Sequence, residues 1–206
     1  MATLPRVLAH SLVPVRGSLA SQVGADPGAQ PSGGFLGVLV NAPWATMQPA
    51  QLGALGLPAL CPLGFLFIWV EKAALAGVVE AVGRLGYGYV ENLTWVLLNP
   101  AHRPATAPAP FLARAHRTLL IFRRDTREHP RGKEVELRHQ RSPDVEVGLT
   151  NSAADGRLLT PEAAYAAIET LLPGGYTPGQ PGRFLELWAH PEIRRPGWTH
   201  VVEALQ

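Results

Sequence analysis

The chain has 206 residues, of which 47% are hydrophobic and only 17% charged. That suits one globular domain with a real core and excludes a chain disordered throughout. Cys61 is the single cysteine, which excludes a disulfide framework and a cysteine-based zinc site and is consistent with a reducing compartment. The longest apolar run, around Leu63–Val70, is too short to cross a bilayer.

The net charge of +2 hides a local excess. Half of the 18 basic residues fall between Arg114 and Arg141, where the acids are Asp125, Glu128, Glu134 and Glu136. Within it, Arg123, Arg124, Arg127, Arg131 and Lys133 form a basic stripe. It reads either as a phosphate-facing edge for nucleic acid or as a solvated loop.

In chain order, residues 1–34 read as a disordered tail and linker, ending in the Gly- and Pro-rich segment Gly24–Gly34. Arg6, His10 and Arg16 in an acid-free start also fit a mitochondrial transit peptide, the less favoured reading. The domain is expected over 35–206. Phe35–Val40 is an apolar run between glycines and a proline, hence a buried strand. Pro49–Leu60 has a weak helical pattern interrupted by Gly53 and Gly56. Gly64–Val70 is a second buried strand. Glu71–Leu85 is a helix with Leu75, Val78, Val79 and Val82 on one face, and Gly86 stands where a terminating glycine belongs.

Tyr89–Leu98 is a third strand, followed by the proline-rich irregular stretch Asn99–Pro110. Arg117–Arg124 and Val145–Leu149 are further strands. Thr160 as N-cap and Pro161 as first helical residue start a helix that runs to Leu172 and stops at Pro173-Gly174-Gly175. Arg183–Ala189 is the sixth strand, and Glu192–Leu205 reads as a turn and a short helix. Alternating strands and helices predict an α/β fold with a mostly parallel sheet, flanking helices and one antiparallel edge.

The first strand ends in Asn41-Ala42-Pro43-Trp44, a pattern with a chemical reading. The exocyclic amine of adenine is a poor nucleophile because its lone pair is delocalised into the ring. A side-chain oxygen and a backbone carbonyl on its two N–H groups would orient it, and an aromatic ring would stack on the base. Asn41, Ala42 and Trp44 can supply these groups at a strand carboxyl end, where open α/β sheets bind ligands. The spacing alone fits equally a turn after a strand with Trp44 in the core.

From Phe35 to Leu205 the chain resembles the eukaryotic adenosine-N(6) mRNA methyltransferase family in motif order. Its Asp-Pro-Pro-Trp stands here as Asn41-Ala42-Pro43-Trp44, and its "GFLFLWV" strand as Gly64–Val70. Its "WGY" stands as Leu85-Gly86-Tyr87, its Trp-containing strand ending in Asn as Trp95 to Asn99, and its "ELF-G-R" strand as Leu185–His190. Arg195-Pro196-Gly197-Trp198 looks like the non-catalytic half of that family's heterodimer. The resemblance implies a Rossmann-like class I methyltransferase domain, S-adenosylmethionine as the family cofactor, RNA or DNA as target and a nuclear location.

The departures matter as much. Asn41 replaces a carboxylate, Ala42 replaces a proline, and Ala45-Thr46-Met47 shortens the substrate loop. The family's cofactor-holding Lys, Arg and Asn fall on Thr160, His190 and Pro191–Ile193, and a polar pair falls near Glu203-Ala204. Each lost charge-assisted bond is worth roughly 1.5–3 kcal/mol. Glu186 matches a family acid, as a relic or a structural acceptor. The expectation is a catalytically inactive subunit, holding no cofactor, that pairs with an active paralogue and helps bind nucleic acid. On its own such a chain is expected to self-associate. An active enzyme and a free-standing nucleic-acid-binding module are the alternatives. His10, His102, His116, His129, His139 and His200 show no metal-ligand spacing.

Overall fold

The computed structural model describes residues 6–10, 30–124, 135–139, 143–152 and 158–203. Eight strands form one sheet: β1 (Arg6–His10), β2 (Gly37–Val40), β3 (Phe65–Val70), β4 (Tyr87–Leu98), β5 (His116–Arg124), β6 (Val145–Leu149), β7 (Phe184–Leu187) and β8 (Trp198–Glu203). Their spatial order is β1-β8-β7-β2-β3-β5-β4-β6. Every pairing is parallel except those of β5, which runs against both β3 and β4. The helices are α1 (Leu57–Leu60), α2 (Lys72–Arg84) and α3 (Glu162–Leu171), with 3-10 turns at Pro49–Leu55 and Pro173–Gly175.

β2 and β3 carry no polar residue and are buried on both faces, which is why they read as unbroken apolar runs. Their alternate side chains feed two cores. Val38, Val40, Leu66 and Ile68 pack with Val78 and Val82 of α2. Leu39, Phe65, Phe67 and Trp69 pack with Ala164, Tyr165 and Ile168 of α3. Helices therefore cover both faces of a mostly parallel sheet, as the sequence predicts.

Several expectations are corrected in detail. The reversed strand is not an edge: β5 lies inside the sheet, and β6 takes the edge because it pairs parallel with β4. In α2 the buried face is Ala74, Val78, Ala81 and Val82, while Leu75 and Val79 are 37% and 38% exposed. Gly77 explains the roll, because a Cβ there would stand 2.9 Å from Pro49. Without one, the 3-10 turn packs against that flank and Leu75 and Val79 rotate outward. The helix ends as expected, at a Gly86 with φ +83°.

Thr160 does not cap α3. The N-cap is Pro161, in extended conformation with no side-chain cap bond, and Thr160 is buried instead. The terminal segment expected to be helical is β8, whose Trp198, Thr199, Val201 and Val202 are buried. Gly197, at φ +80°, turns the chain into it. The expectation of a tail over residues 1–34 is corrected at Arg6–His10, which pairs with β8 in register from Arg6↔Thr199 to His10↔Glu203.

Candidate functional site

β2 lies between β3 and β7, and the chain leaves it in one direction through β3 and arrives at β7 to continue in the other. This is a topological switch point, and its crevice lies beyond Val40 and Leu187. Asn41 and its successors emerge there, and the Asn41 backbone N–H donates to Leu187 O at 3.1 Å.

The four motif residues are tied into the fold. Asn41 Oδ1 accepts a hydrogen bond from Arg117 Nη2 at 2.9 Å, and Asn41 Nδ2 donates to Leu158 O at 3.4 Å. Ala42 O accepts from Trp44 N at 3.0 Å, and Pro43 O accepts from Thr46 N and Met47 N, both at 2.9 Å. Trp44 Nε1 donates to Trp69 O at 2.6 Å, with its ring packed on the α2-side core. The short loop Ala45-Thr46-Met47 thus closes as a turn and enters the 3-10 segment directly.

Arg117 is the partner that sequence reading missed. It is the second residue of β5, is 6% exposed, and lies 5.2 Å over the Trp69 ring. Burial pulls its pKa down to about 10, against which Glu71 acts in the opposite direction. The guanidinium stays charged at neutral pH. Asn41 Oδ1 and the Trp69 face are what offset its loss of water.

Glu186, on β7, is 1% exposed and is a node of buried bonds. Its Oε2 accepts from Tyr165 Oη at 2.9 Å, and His200 Nδ1 lies 2.9 Å from the same oxygen. Burial, with the adjoining Glu186 second, pushes the Tyr165 pKa well up, so Tyr165 is a standing donor. The network links α3, β7 and β8.

A cleft of about 230 Å³ opens here, lined by Asn41, Leu158, Leu159, Thr160, Glu186, Trp188, His190 and Ile193. Trp188 holds φ +60° while buried. That is a rare conformation for a bulky residue, and rare backbone at a crevice marks a functional position or its remnant. Nothing in the local sequence signals it. His190 Nδ1 is engaged by the Glu192 backbone N–H at 3.3 Å. Among the described residues no group of three His, Cys, Asp or Glu side chains is disposed to hold a metal. No helix among them is long and apolar enough to cross a membrane.

The two described residues of the basic stripe, Arg123 and Arg124, lie elsewhere. Because β5 is reversed, Arg123 and Arg124 pair with Phe65 and Tyr87 at the strand starts, the opposite end of the sheet from Asn41. Arg124 donates to Leu85 O at the end of α2 and lies 5.0 Å over the Tyr87 ring, while Arg123 lies over Phe65. Arg127, Arg131 and Lys133 lie outside the described residues. Arg124→Glu is therefore expected to cost about 2 kcal/mol, from a lost charge-assisted bond and a carboxylate at a helix C-terminus. Arg123→Glu should cost under about 1 kcal/mol. Urea unfolding of the two variants checks this, and equal losses would contradict it.

A mostly parallel sheet covered by helices on both faces, with a crevice at the switch point, is the Rossmann-like architecture expected of a methyltransferase domain. No family model matches the chain. Curated relatives do. It is 28% identical over 178 residues to the N(6)-adenosine-methyltransferase MT-A70-like protein of Drosophila melanogaster, covering 81% of this chain and 26% of that protein. It is 27% identical over 162 residues to a putative N(6)-adenosine-methyltransferase MT-A70-like protein of Medicago truncatula, covering 79% and 24%. To the human N(6)-adenosine-methyltransferase catalytic subunit METTL3 it is 26% identical over 176 residues, covering 81% and 27%. The chain is a homologue of these N(6)-adenosine-methyltransferase MT-A70-like proteins, and it spans about a quarter of their length.

Proposed function

We propose that the chain is a catalytically silent, methyltransferase-like subunit. It pairs with an active adenine-N(6) methyltransferase paralogue, in the nucleus, and helps hold that enzyme's RNA or DNA. The observation that carries this reading is the occupation of both amine acceptors: Asn41 Oδ1 by Arg117, and Ala42 O by the Trp44 backbone N–H. An adenine amine entering the crevice would have to share each oxygen with a donor already there, one of them a buried guanidinium.

S-adenosylmethionine supplies the transferable methyl group in enzymes of this kind, and the residues here fit it poorly. Leu158, Leu159, Trp188 and Ile193 take much of the cleft wall, and among the described residues no Lys or Arg lines it. The Glu186 oxygen facing Tyr165 and His200 is already engaged.

Titration calorimetry of the chain with S-adenosylmethionine should give no heat of binding at concentrations that saturate active relatives. A one-site isotherm with a low-micromolar midpoint would replace this reading with that of an active S-adenosylmethionine-dependent adenine-N(6) methyltransferase.

A further inference from the structure

Among the described residues an arginine and a glutamate are buried almost completely, Arg117 and Glu186, and only the glutamate is matched. Glu186 has Tyr165 and His200. Arg117 has one hydrogen bond, from Nη2 to the neutral amide oxygen of Asn41. Its Nε is buried without a partner. Its Nη1 makes no hydrogen bond either and is not fully buried, so that corner of the guanidinium reaches the surface. Among the described residues no carboxylate pairs with it. Glu71 acts on it through space, but Glu71 is already paired with Arg114.

The surroundings lack acceptors too. Arg117 lies over the Trp69 ring, the Trp69 and Trp95 rings are 6.0 Å apart, and Trp95 is the register partner of Arg117 between β4 and β5. Trp69 Nε1 and Trp95 Nε1 are also buried without a partner. An indole N–H only donates, as does a guanidinium. Three neighbouring side chains therefore hold unpaired donors and one full positive charge. Buried donors without acceptors are costly, and a buried charge without a counter-charge more so. An anion supplies both missing parts at once.

We propose that Arg117 anchors a binding site for a small, singly charged oxyanion of the phosphate type. Asn41 holds the Nη2 corner and fixes the guanidinium, and the anion meets the Nη1 corner. One charge is expected because one guanidinium is unmatched, and paired oxygens because they fit its fork. Free phosphate and the phosphodiester of a nucleic-acid strand share that chemistry, and the test separates them. The site is distinct from the cleft beside Asn41, which Arg117 does not line. It does not depend on whether that cleft holds a cofactor or the chain is catalytically silent.

The test is nuclear magnetic resonance of the ¹⁵N-labelled full chain, reading the Arg117 Nε–H and Trp69 indole N–H signals. Inorganic phosphate is titrated at mildly acid pH, where it is largely singly charged, with sodium chloride at matched ionic strength as control. Both signals should shift together and saturate with phosphate but not with chloride. Arg117→Met, checked for folding by circular dichroism, should abolish the Trp69 shift. Arg117→Lys keeps the charge without the fork and should weaken binding about tenfold. It serves alone if the methionine variant does not fold. A response to a short single-stranded oligonucleotide and not to inorganic phosphate would support the site with a phosphodiester as its source. No shift with either probe, an equal shift with chloride, or a Trp69 shift undiminished in the Arg117 variants would overturn the proposal.

Discussion

Asn41→Ala is expected to lower the free energy of unfolding by about 3 kcal/mol while leaving the methylation rate of a reconstituted complex nearly unchanged. The substitution removes the acceptor at 2.9 Å from a guanidinium that is 6% exposed. What remains is a buried charge held by the Trp69 face and the more distant field of Glu71, and the substitution also leaves Leu158 O without its amide donor. Denaturant unfolding measures the first part and a methyl-transfer assay of the complex the second. A stable variant whose complex slows a hundredfold, about 2.7 kcal/mol of transition-state stabilisation, would place Asn41 in catalysis instead. The pair of readouts matters, because a residue serving the fold and a residue serving the reaction give opposite patterns.

Glu186→Leu should be costlier still, about 4 kcal/mol, and Tyr165→Phe only about 1 kcal/mol. The leucine removes the acceptor shared by Tyr165 Oη and His200 Nδ1 and strands both inside the protein. His200 is fully buried, so water cannot reach it to compensate. The phenylalanine removes one donor and leaves Glu186 its His200 partner. Chemical denaturation ranks the two. Equal losses would mean that Glu186 is not the node of the network and acts through Tyr165 alone.

The central sheet was open to sequence reading because β2 and β3 are apolar throughout and β6 alternates cleanly. β8 was not, since Trp198-Thr199-His200-Val201-Val202 mixes polar residues into a strand buried on both faces, and the partners of Trp198 Nε1 and His200 Nδ1, Glu169 and Glu186, lie on other elements. β1 was hidden for a similar reason: five residues in a Gly- and Pro-rich stretch become a strand only because β8 offers an edge. At the site, position was legible and engagement was not. The motif Asn41-Ala42-Pro43-Trp44 announces a strand end, but the donor to Asn41 lies 76 residues away, as the first residue of the strand read over Arg117–Arg124. Arg117 shares strand parity with Leu119 and Ile121, both turned to the sheet's interior packing, and that parity was the available signal.

The pairing of β1 with β8 has a kinetic meaning. Arg6 and Thr199 are neighbours in the sheet although they stand near opposite ends of the sequence. The loop-closure entropy of so long a connection must be met before the contact returns anything, and such contacts slow folding. During synthesis β1 leaves the ribosome well ahead of β8 and must wait until β8 has been made and has joined β7. In the finished protein the same strand, held on one side only, is where opening begins. Amide protons of β1 should therefore exchange with solvent ahead of those of β2 and β3, which have neighbours on both sides.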